Sequence, residues 1–306
     1  MKKKLWIDTD VGVDDSLAIL LCLNSSEYEI VGISCCGGNA SLKNVIHNVN
    51  RTLNVWGHDS QKIPIYGGCT RGLIEKPMVI PEIHGDDGLG DINDKDFGID
   101  IPDRIEKENA INALIEACQR YDDLYLLTLA PLTNIALALR MNLDAMLRLK
   151  HITIMGGAED GVGNTSPYAE FNFRADPHAA YIVFTTFPQE RITMSTWTLT
   201  THHQFKGEKM KNICDRHNTL IEKFVAESWK KLLIFTKGCL LMADPHAAFV
   251  ALYGYTKVER LRVTIVTEGE KIGMTEVVSD PNGTFVPKEL DETELIAKLE
   301  AVLTDH

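Results

Sequence analysis

Four aspartates lie at one predicted strand-to-helix corner near the start of the chain. Residues 5–7 are typical of the end of a short buried strand, Gly12 of a turn, and the segment from residue 14 of the first turn of an apolar helix. The corner contains Asp8, Asp10, Asp14 and Asp15. Two carboxylates about 4 Å apart repel each other by about 4 kcal/mol at an effective dielectric constant near 20. The cluster therefore predicts a cation among the carboxylates.

One aspartate in the first turn of a helix needs no cation. It interacts favourably with the helix dipole and caps open N–H groups, which stabilises the helix by about 0.3–1 kcal/mol. That explanation does not account for four carboxylates together. Oxygen ligands of this kind favour Ca²⁺ or Mg²⁺ over zinc, which prefers cysteine and histidine.

Composition limits the classes of partner. The net charge of −12 argues against a nucleic-acid partner and against an anionic membrane surface, because both require clustered Lys and Arg. The apolar segment after the N-terminal lysines stops at Asp8, which is too short for an export signal, and the apolar run 17–23 is too short to span a bilayer. Seven cysteines without a Cys-x-x-Cys pair fit a reducing compartment. These features predict a cytoplasmic protein with a small-molecule substrate.

Strand and helix patterns alternate along the chain. Strands are predicted over residues 29–36, 63–66, 124–129, 152–155 and 191–195, and helices over 41–56, 107–120 and 215–235. A late hairpin is predicted over 258–267 and 274–279, followed by a closing helix that is capped near Asp291. This order predicts one α/β domain spanning residues 1–306. Its open sheet should be mostly parallel, with helices on both faces and the site at the carboxyl ends of the strands.

Two loops and one repeated pentapeptide interrupt the alternation. Residues 69–106 are rich in proline and contain His84 in the run His-Gly-Asp-Asp-Gly-Leu-Gly, and long loops of this kind are usually functional. A second polar loop follows Met155 and includes Asn164 and residues 170–172. The sequence Asp-Pro-His-Ala-Ala begins at Asp176 and again at Asp244. Both copies predict a helix with an Asp N-cap and Pro at the first helical position. Pro131 likewise predicts the first helical position of the helix that follows it.

The octet Asp-Thr-Asp-Val-Gly-Val-Asp-Asp at residues 8–15 resembles the N-terminal signature of the nucleoside hydrolases, which are calcium-dependent N-ribohydrolases of the inosine–uridine type. The His84 loop, the Glu-Phe-Asn segment at 170–172 and the copy that begins at Asp244 also resemble motifs of that family, and the resemblance covers residues 5–250 in order. It implies a Rossmann-like fold and an enzyme that hydrolyses the N-glycosidic bond of a ribonucleoside. It also implies a role in nucleoside catabolism and salvage. It also implies a homodimer or homotetramer.

The resemblance also implies roles for individual residues. Calcium would be held by Asp10, Asp15, Asp244 and the Thr128 carbonyl, and Asp10 would be the general base. His84 would lie near the leaving base and take part in catalysis. The substrate would be bound by Asp14, Asn39, Met155, Asn164, Glu170, Phe171, Asn172 and Trp229, of which Trp229 is the candidate for stacking on the base.

One position departs from the family. Many members have a histidine immediately before the C-terminal calcium aspartate, where it protonates the leaving base, but here that residue is Ala243. Without that acid, purine ribonucleosides are expected to be slightly favoured, since a purine accepts a proton at N7 and stacks well. Two other readings of the chain remain. One is a haloacid-dehalogenase-like phosphohydrolase that uses Asp8 or Asp10, and the other is a ribose- or nucleoside-binding protein without catalysis.

Overall fold

Strands and helices alternate through most of the computed structural model, which describes residues 2–57, 59–97, 104–207 and 213–304. The strands in these ranges are β1 (Lys3–Thr9), β2 (Tyr28–Cys35), β3 (Ile65–Gly67), β4 (Leu124–Thr128), β5 (His151–Met155), β6 (Ile192–Ser195), β7 (Phe205–Lys206), β8 (Cys239–Leu240), β9 (Lys257–Ile265), β10 (Thr275–Ser279) and β11 (Thr284–Glu289).

The helices of the same ranges, in chain order, include long core helices and several short ones. They are α1 (Val13–Leu23), α2 (Leu42–Trp56), α3 (Pro81–His84), α4 (Ala110–Arg120), α5 (Thr133–Met141), α6 (Leu143–Met146), α7 (Phe171–Ala175), α8 (Pro177–Thr186), α9 (Trp197–His202), α10 (Leu220–Phe235), α11 (Ala243–Tyr253) and α12 (Glu292–Thr304). No helix in the described ranges is long and apolar enough to cross a membrane.

Nine strands form one sheet in the order β10-β9-β11-β6-β5-β4-β1-β2-β3. Every pair is parallel except the two that involve β9, which runs antiparallel to both of its neighbours. The mostly parallel sheet confirms the predicted fold class, and the antiparallel β9–β10 pair confirms the late hairpin. A separate two-stranded sheet joins β7 to β8.

The register of the sheet brings the carboxyl ends of the central strands level with one another. Asp8 in β1 pairs with Ser34 in β2 and with Thr128 in β4. Thr128 pairs in turn with Ile154 in β5, and the next residue, Met155, pairs with Ser195 in β6. The loops that follow these strands therefore start at one edge of the sheet, where open α/β folds bind their ligands.

Alternate residues of β1 pack on opposite faces of the sheet. Leu5 and Ile7 belong to a core with helices α1, α2, α10, α11 and α12, whereas Trp6 belongs to a second core with α4, α5 and α8. This alternation follows from the two-residue period of a strand. Both faces are thus covered by helices, as predicted.

Several element boundaries and caps differ from the prediction. The third strand begins at Ile65 and not at residue 63, and α10 begins at Leu220 with Thr219 as its N-cap and not at residue 215. Helix α5 begins at Thr133, so Pro131 lies outside its first turn. Helix α11 begins at Ala243 without a side-chain cap, so Asp244 is not an N-cap. In contrast, Asp176 does cap α8, with Pro177 at the first helical position.

The predicted loop over 69–106 includes two short regular elements among its described residues. It contains the short helix α3 and a 3-10 turn over Asp94–Phe97. Residues 98–103 of that loop, including Pro102, lie outside the described residues, as do the predicted domain limits at residues 1 and 306.

Candidate active site

The corner after β1 is closed by hydrogen bonds that Asp15 accepts. One carboxyl oxygen accepts the Thr9 hydroxyl at 2.5 Å, and the other accepts the Gly12 N–H at 2.8 Å. The second oxygen also accepts the Asn39 side-chain amide at 3.1 Å. Asp15 therefore satisfies the backbone at the start of α1, and it also fixes the orientation of Asn39.

Three carboxylates converge where two helices begin. Asp14 and Asp15 lie in the first turn of α1, and Asp244 lies in the first turn of α11, which packs against α1. One oxygen from each of the three lies within 4.8 Å of the other two. Both helix N-termini carry partial positive charge, which favours anions at this point. We call Asp14, Asp15 and Asp244 the aspartate trio.

Burial and mutual repulsion make the charged state of the trio costly without a cation. Burial, followed by the charge of Asp15, raises the pKa of Asp14 to about 7. Burial, followed by the charges of Asp14 and Asp15, also raises the pKa of Asp244 well above its usual range. A cation among the three would remove the repulsion, and carboxylate oxygens are the ligands that hard cations prefer. The trio could therefore hold a metal ion.

Asp10 lies beside the trio, and one of its oxygens has no hydrogen-bond partner among the described residues. Its Oδ2 accepts the Asn39 backbone N–H at 2.7 Å, whereas the fully buried Oδ1 is unpartnered. Burial, followed by the charge of Asp15, raises the pKa of Asp10. A Cβ atom at Gly38 would overlap the Asp10 carboxyl group, so the loop after β2 needs glycine there.

Two members of the trio, Asp14 and Asp244, line the inner end of a cavity of about 540 Å³. Nine of the predicted site residues line this cavity: Asp14, Asn39, His84, Met155, Asn164, Glu170, Phe171, Asn172 and Asp244. Asp10, Asp15 and Thr128 do not line it and are fully buried. Asp15 and Asp244 are predicted metal ligands, and both belong to the trio. The third member, Asp14, was predicted to bind the ribose and not the metal ion.

Glu170 and Asn172 are positioned by short hydrogen bonds rather than by a flexible turn. Glu170 caps α7 by accepting the N–H groups of Asn172 at 2.8 Å and Phe173 at 3.2 Å, and it also accepts the Gly157 N–H at 2.9 Å. The Asn172 amide nitrogen donates to the Leu129 carbonyl at 2.8 Å. Its amide oxygen is therefore the group that is available to a ligand.

Removing the Glu170 cap is expected to destabilise the protein more than removing an ordinary cap. Glu170→Ala deletes an N-cap, which costs about 1 kcal/mol, and it leaves the Gly157 N–H without its acceptor, which costs about 1–3 kcal/mol more. Ser41→Ala is the matched control, because exposed Ser41 caps α2 through the Asn44 N–H alone. Urea denaturation of both variants measures the difference, and equal losses would contradict the role of Gly157.

His84 is buried, and its ring accepts a hydrogen bond. The Val13 N–H donates to His84 Nδ1 at 3.2 Å, so the proton of the neutral ring is on Nε2. Burial lowers the pKa of His84 to about 4. The ring is therefore neutral at pH 7 and offers an N–H donor rather than an imidazolium.

The structure corrects the assignment of Trp229 and shows aromatic residues that the sequence did not single out. Trp229 lies on the buried face of α10, is fully buried in the core and does not line the cavity. The cavity wall instead contains Trp197 and Phe235 beside Phe171, together with Glu82. Trp197 follows the carboxyl end of β6. That position after a strand was the one feature of the sequence that could have indicated a place for Trp197 in the cavity.

Comparison with known proteins identifies the family. The model of the inosine-uridine preferring nucleoside hydrolase family matches residues 5–297. The chain belongs to this family. Among relatives, an inosine-uridine preferring nucleoside hydrolase of Crithidia fasciculata is 34% identical over 187 residues, which is 60% of this chain and 57% of that protein. The uridine nucleosidase 1 of Arabidopsis thaliana is 34% identical over 72% of this chain and 64% of its own length.

Solved structures of nucleoside hydrolases share the fold along the whole chain. A purine-preferring ribonucleoside hydrolase from Gardnerella vaginalis superposes with a TM-score of 0.86 at 28% identity, covering 99% of this chain and 100% of the other. A plant nucleoside hydrolase superposes with a TM-score of 0.89 at 23% identity and complete coverage of both chains. By contrast, this chain spans only 57–64% of the length of the Crithidia and Arabidopsis relatives in sequence alignment.

Proposed function

We propose that the protein hydrolyses the N-glycosidic bond of ribonucleosides to free base and ribose. The observation that carries this proposal is the aspartate trio, of which Asp14 and Asp244 line a cavity whose buried inner groups are mostly polar and whose outer wall is mostly apolar. The inner groups suit a sugar with several hydroxyls, and the outer apolar wall suits a planar base. Membership of the nucleoside hydrolase family supports the same reaction.

The inner end of the cavity fits a calcium ion. Asp15 and Asp244 supply converging carboxylates, and the unpartnered Oδ1 of buried Asp10 lacks the donor that such an oxygen needs without a cation. We assign the ion to Asp10, Asp15, Asp244 and the carbonyl of Thr128, the last residue of β4. Asp14 is the remaining member of the trio. Calcium would supply positive charge that lowers the pKa of a water molecule.

Asp10 is the general base of the proposed reaction. Its Oδ2 accepts the Asn39 N–H, whereas Oδ1 has no donor among the described residues and would lie beside both the ion and the attacking water, whose proton it accepts. Transfer of a proton to a positioned carboxylate commonly contributes about 10²–10⁴-fold to the rate.

The ribose is held by oxygen acceptors on the inner wall. Asp14, Asn39, Glu170 and Asn172 supply carboxylate and amide oxygens there, and the exposed Asn164 lines the cavity farther out. As the bond to the base breaks, positive charge develops on the sugar ring, and oxygens aimed at the ring stabilise that charge in the transition state. Met155 and Phe171 provide apolar contacts next to these groups.

The leaving base lacks a strong acid in this protein. Ala243 lines the cavity where many relatives have histidine, and His84 is neutral at pH 7 with an N–H donor at Nε2. His84 would therefore assist departure of the base by hydrogen bonding. Phe171 and Trp197 replace Trp229 as the aromatic side chains on which the base stacks, and stacking of this kind is worth about 0.5–1.5 kcal/mol beyond burial.

The phosphohydrolase alternative is disfavoured for Asp8, and an assay of phosphate release tests it for Asp10. Asp8 Oδ1 accepts the Asn134 amide at 2.8 Å and the Ser34 hydroxyl, and the side chain is fully buried away from the cavity wall. A phosphoryl acceptor must contact its substrate. The binding-protein alternative does not explain why carboxylates converge beside an unpartnered Asp10 oxygen.

We expect purine ribonucleosides to be cleaved with a higher kcat/KM than uridine or cytidine. A purine accepts a proton at N7 and offers a wider face for stacking, which compensates for the missing acid at Ala243. Relatives carry names of both kinds, pyrimidine-specific in Escherichia coli and purine-preferring in Gardnerella vaginalis, so the family alone does not decide this preference. The test measures kcat/KM for five ribonucleosides with wild type and with Ala243→His. The histidine should reduce the difference in kcat/KM between purine and pyrimidine ribonucleosides.

The same assays test the reaction itself. Each ribonucleoside is incubated with and without added calcium, and free base and ribose are quantified. Release of phosphate from a nucleoside 5′-phosphate without release of base would favour the phosphohydrolase. Binding of nucleosides without any turnover would favour the binding protein. A homodimer or homotetramer is proposed from the family resemblance, and sedimentation of the purified protein tests it. A cytoplasmic location is proposed from the composition and the cysteine pattern of the sequence.

A further inference from the structure

The outer part of the cavity contains one carboxyl group that the proposed mechanism does not use. Glu82 lies on α3, lines the cavity and is exposed, whereas His84 on the same helix is only 6% exposed. Glu82 makes no hydrogen bond or ion pair with any described residue. Its carboxylate is therefore available to a ligand.

The cavity has a defined direction from sugar to base. Asp14, Asp244, Glu170 and Asn172 are all less than 10% exposed and form the inner end, whereas Phe235 is 57% exposed and marks the mouth. Helix α3 packs against α10, so Glu82 lies on the same outer wall as Phe235. A nucleoside with its ribose at the inner end directs the far edge of its base, opposite the glycosidic bond, toward this wall.

Glu82 faces that edge without a competing cation. No Lys or Arg is found among the described residues that line the cavity. A carboxylate only accepts hydrogen bonds, and its two oxygens can accept from two neighbouring N–H groups at once. Guanine presents two neighbouring N–H donors on its far edge, at N1 and at the 2-amino group. Hypoxanthine presents only N1–H.

We propose that Glu82 determines base specificity by accepting hydrogen bonds from N–H groups on the far edge of the leaving base. Guanosine is then cleaved in preference to inosine, from which it differs only by the 2-amino group. This inference rests on the proposed hydrolase function and adds a substrate class to it. A hydrogen bond to a charged acceptor is strong enough for a preference of about tenfold in kcat/KM.

The test compares the guanosine-to-inosine ratio of kcat/KM in wild type and Glu82→Gln, both assayed with calcium. The glutamine amide keeps one acceptor oxygen and turns an N–H toward the second donor, so the ratio should fall about tenfold, mainly through guanosine. Glu116→Gln is the matched control, because Glu116 is exposed on α4, outside the cavity, and its replacement removes the same charge.

The outcomes separate the inference from the function on which it rests. A fall in the ratio for Glu82→Gln but not for Glu116→Gln supports the assignment. If inosine is cleaved and the ratio is the same in wild type and both variants, the role of Glu82 is overturned while the hydrolase function stands. If calcium-loaded wild type cleaves no ribonucleoside, both proposals fall.

Discussion

Asp10→Asn is expected to lower kcat by several orders of magnitude while leaving the fold intact. The substitution removes the proton acceptor, which alone is worth about 10²–10⁴-fold, and it weakens the proposed calcium site. The Asn39 N–H keeps an acceptor oxygen, since asparagine has the same shape as aspartate. Activity is measured at saturating calcium, and thermal denaturation reports the fold. A variant that keeps more than a tenth of the wild-type rate would show that another group is the base.

Asp8→Asn is the matched control for that experiment. Asp8 lies in β1, two residues before Asp10, and is equally buried. Its Oδ1 accepts hydrogen bonds from Ser34 and Asn134 and its Oδ2 has no donor among the described residues, but Asp8 is not one of the proposed calcium ligands. An asparagine oriented with its oxygen toward those two donors keeps both hydrogen bonds. We therefore expect a much smaller loss of activity than for Asp10→Asn. A loss as large as that of Asp10→Asn would mean that the assay reports damage to the strand and not loss of the base.

Removal of calcium with a chelator is expected to abolish turnover and to lower the melting temperature. Without the cation, Asp10, Asp14, Asp15 and Asp244 are left buried beside one another. Burial raises the pKa of each, and neighbouring carboxylates raise the pKa values of Asp10, Asp14 and Asp244 further. A ligand present at about 100 times its Kd stabilises a protein by about 2.7 kcal/mol. Full activity in protein shown to be calcium-free by elemental analysis would refute the metal assignment.

The stabilisation by calcium should grow as the pH rises. The pKa of Asp14 is about 7 in the metal-free folded protein, whereas its ordinary value is 3.8. Between pH 3.8 and about pH 7 the folded state therefore binds more protons than the unfolded state. The contribution of Asp14 to the stability of the metal-free protein is therefore fully present below pH 3.8, and it is lost as the pH rises through about 7. The difference in melting temperature between calcium-loaded and chelated protein should accordingly be larger at about pH 8 than at about pH 5.5. A constant difference would contradict this linkage.

The repeated pentapeptide supplies a matched pair of variants for the metal site. Asp244 belongs to the trio, whereas Asp176 begins the same five residues but caps α8 and accepts the Thr133 hydroxyl at 2.6 Å. Asp244→Asn is expected to lose calcium in elemental analysis. Asp176→Asn is expected to retain it, because asparagine is also a good N-cap. Equal calcium content in the two variants would place the ion elsewhere.

Local sequence patterns predicted most of the fold. The helix capped by Ser41 extends to Trp56, and the helix after residue 107 ends at Arg120, because periodicity and caps act within a few residues. Boundaries that depend on neighbours were less predictable. Helix α11 starts one residue before Asp244 without a side-chain cap, although its sequence matches that of the capped α8. Packing against α1 overrides the local preference there.

The aspartate-rich corner and the apolar helix after it were determined by the sequence alone, since the strand, the turn and the first helical turn lie within twenty residues. The tertiary structure decided which groups meet there. It brought Asp244 to Asp14 and Asp15 through the contact of α1 with α11. It also buried Trp229 in the core while Trp197, Phe235 and Glu82 line the cavity. Which side of a helix faces a cavity depends on what packs against the other side, and that information is spread over the whole chain.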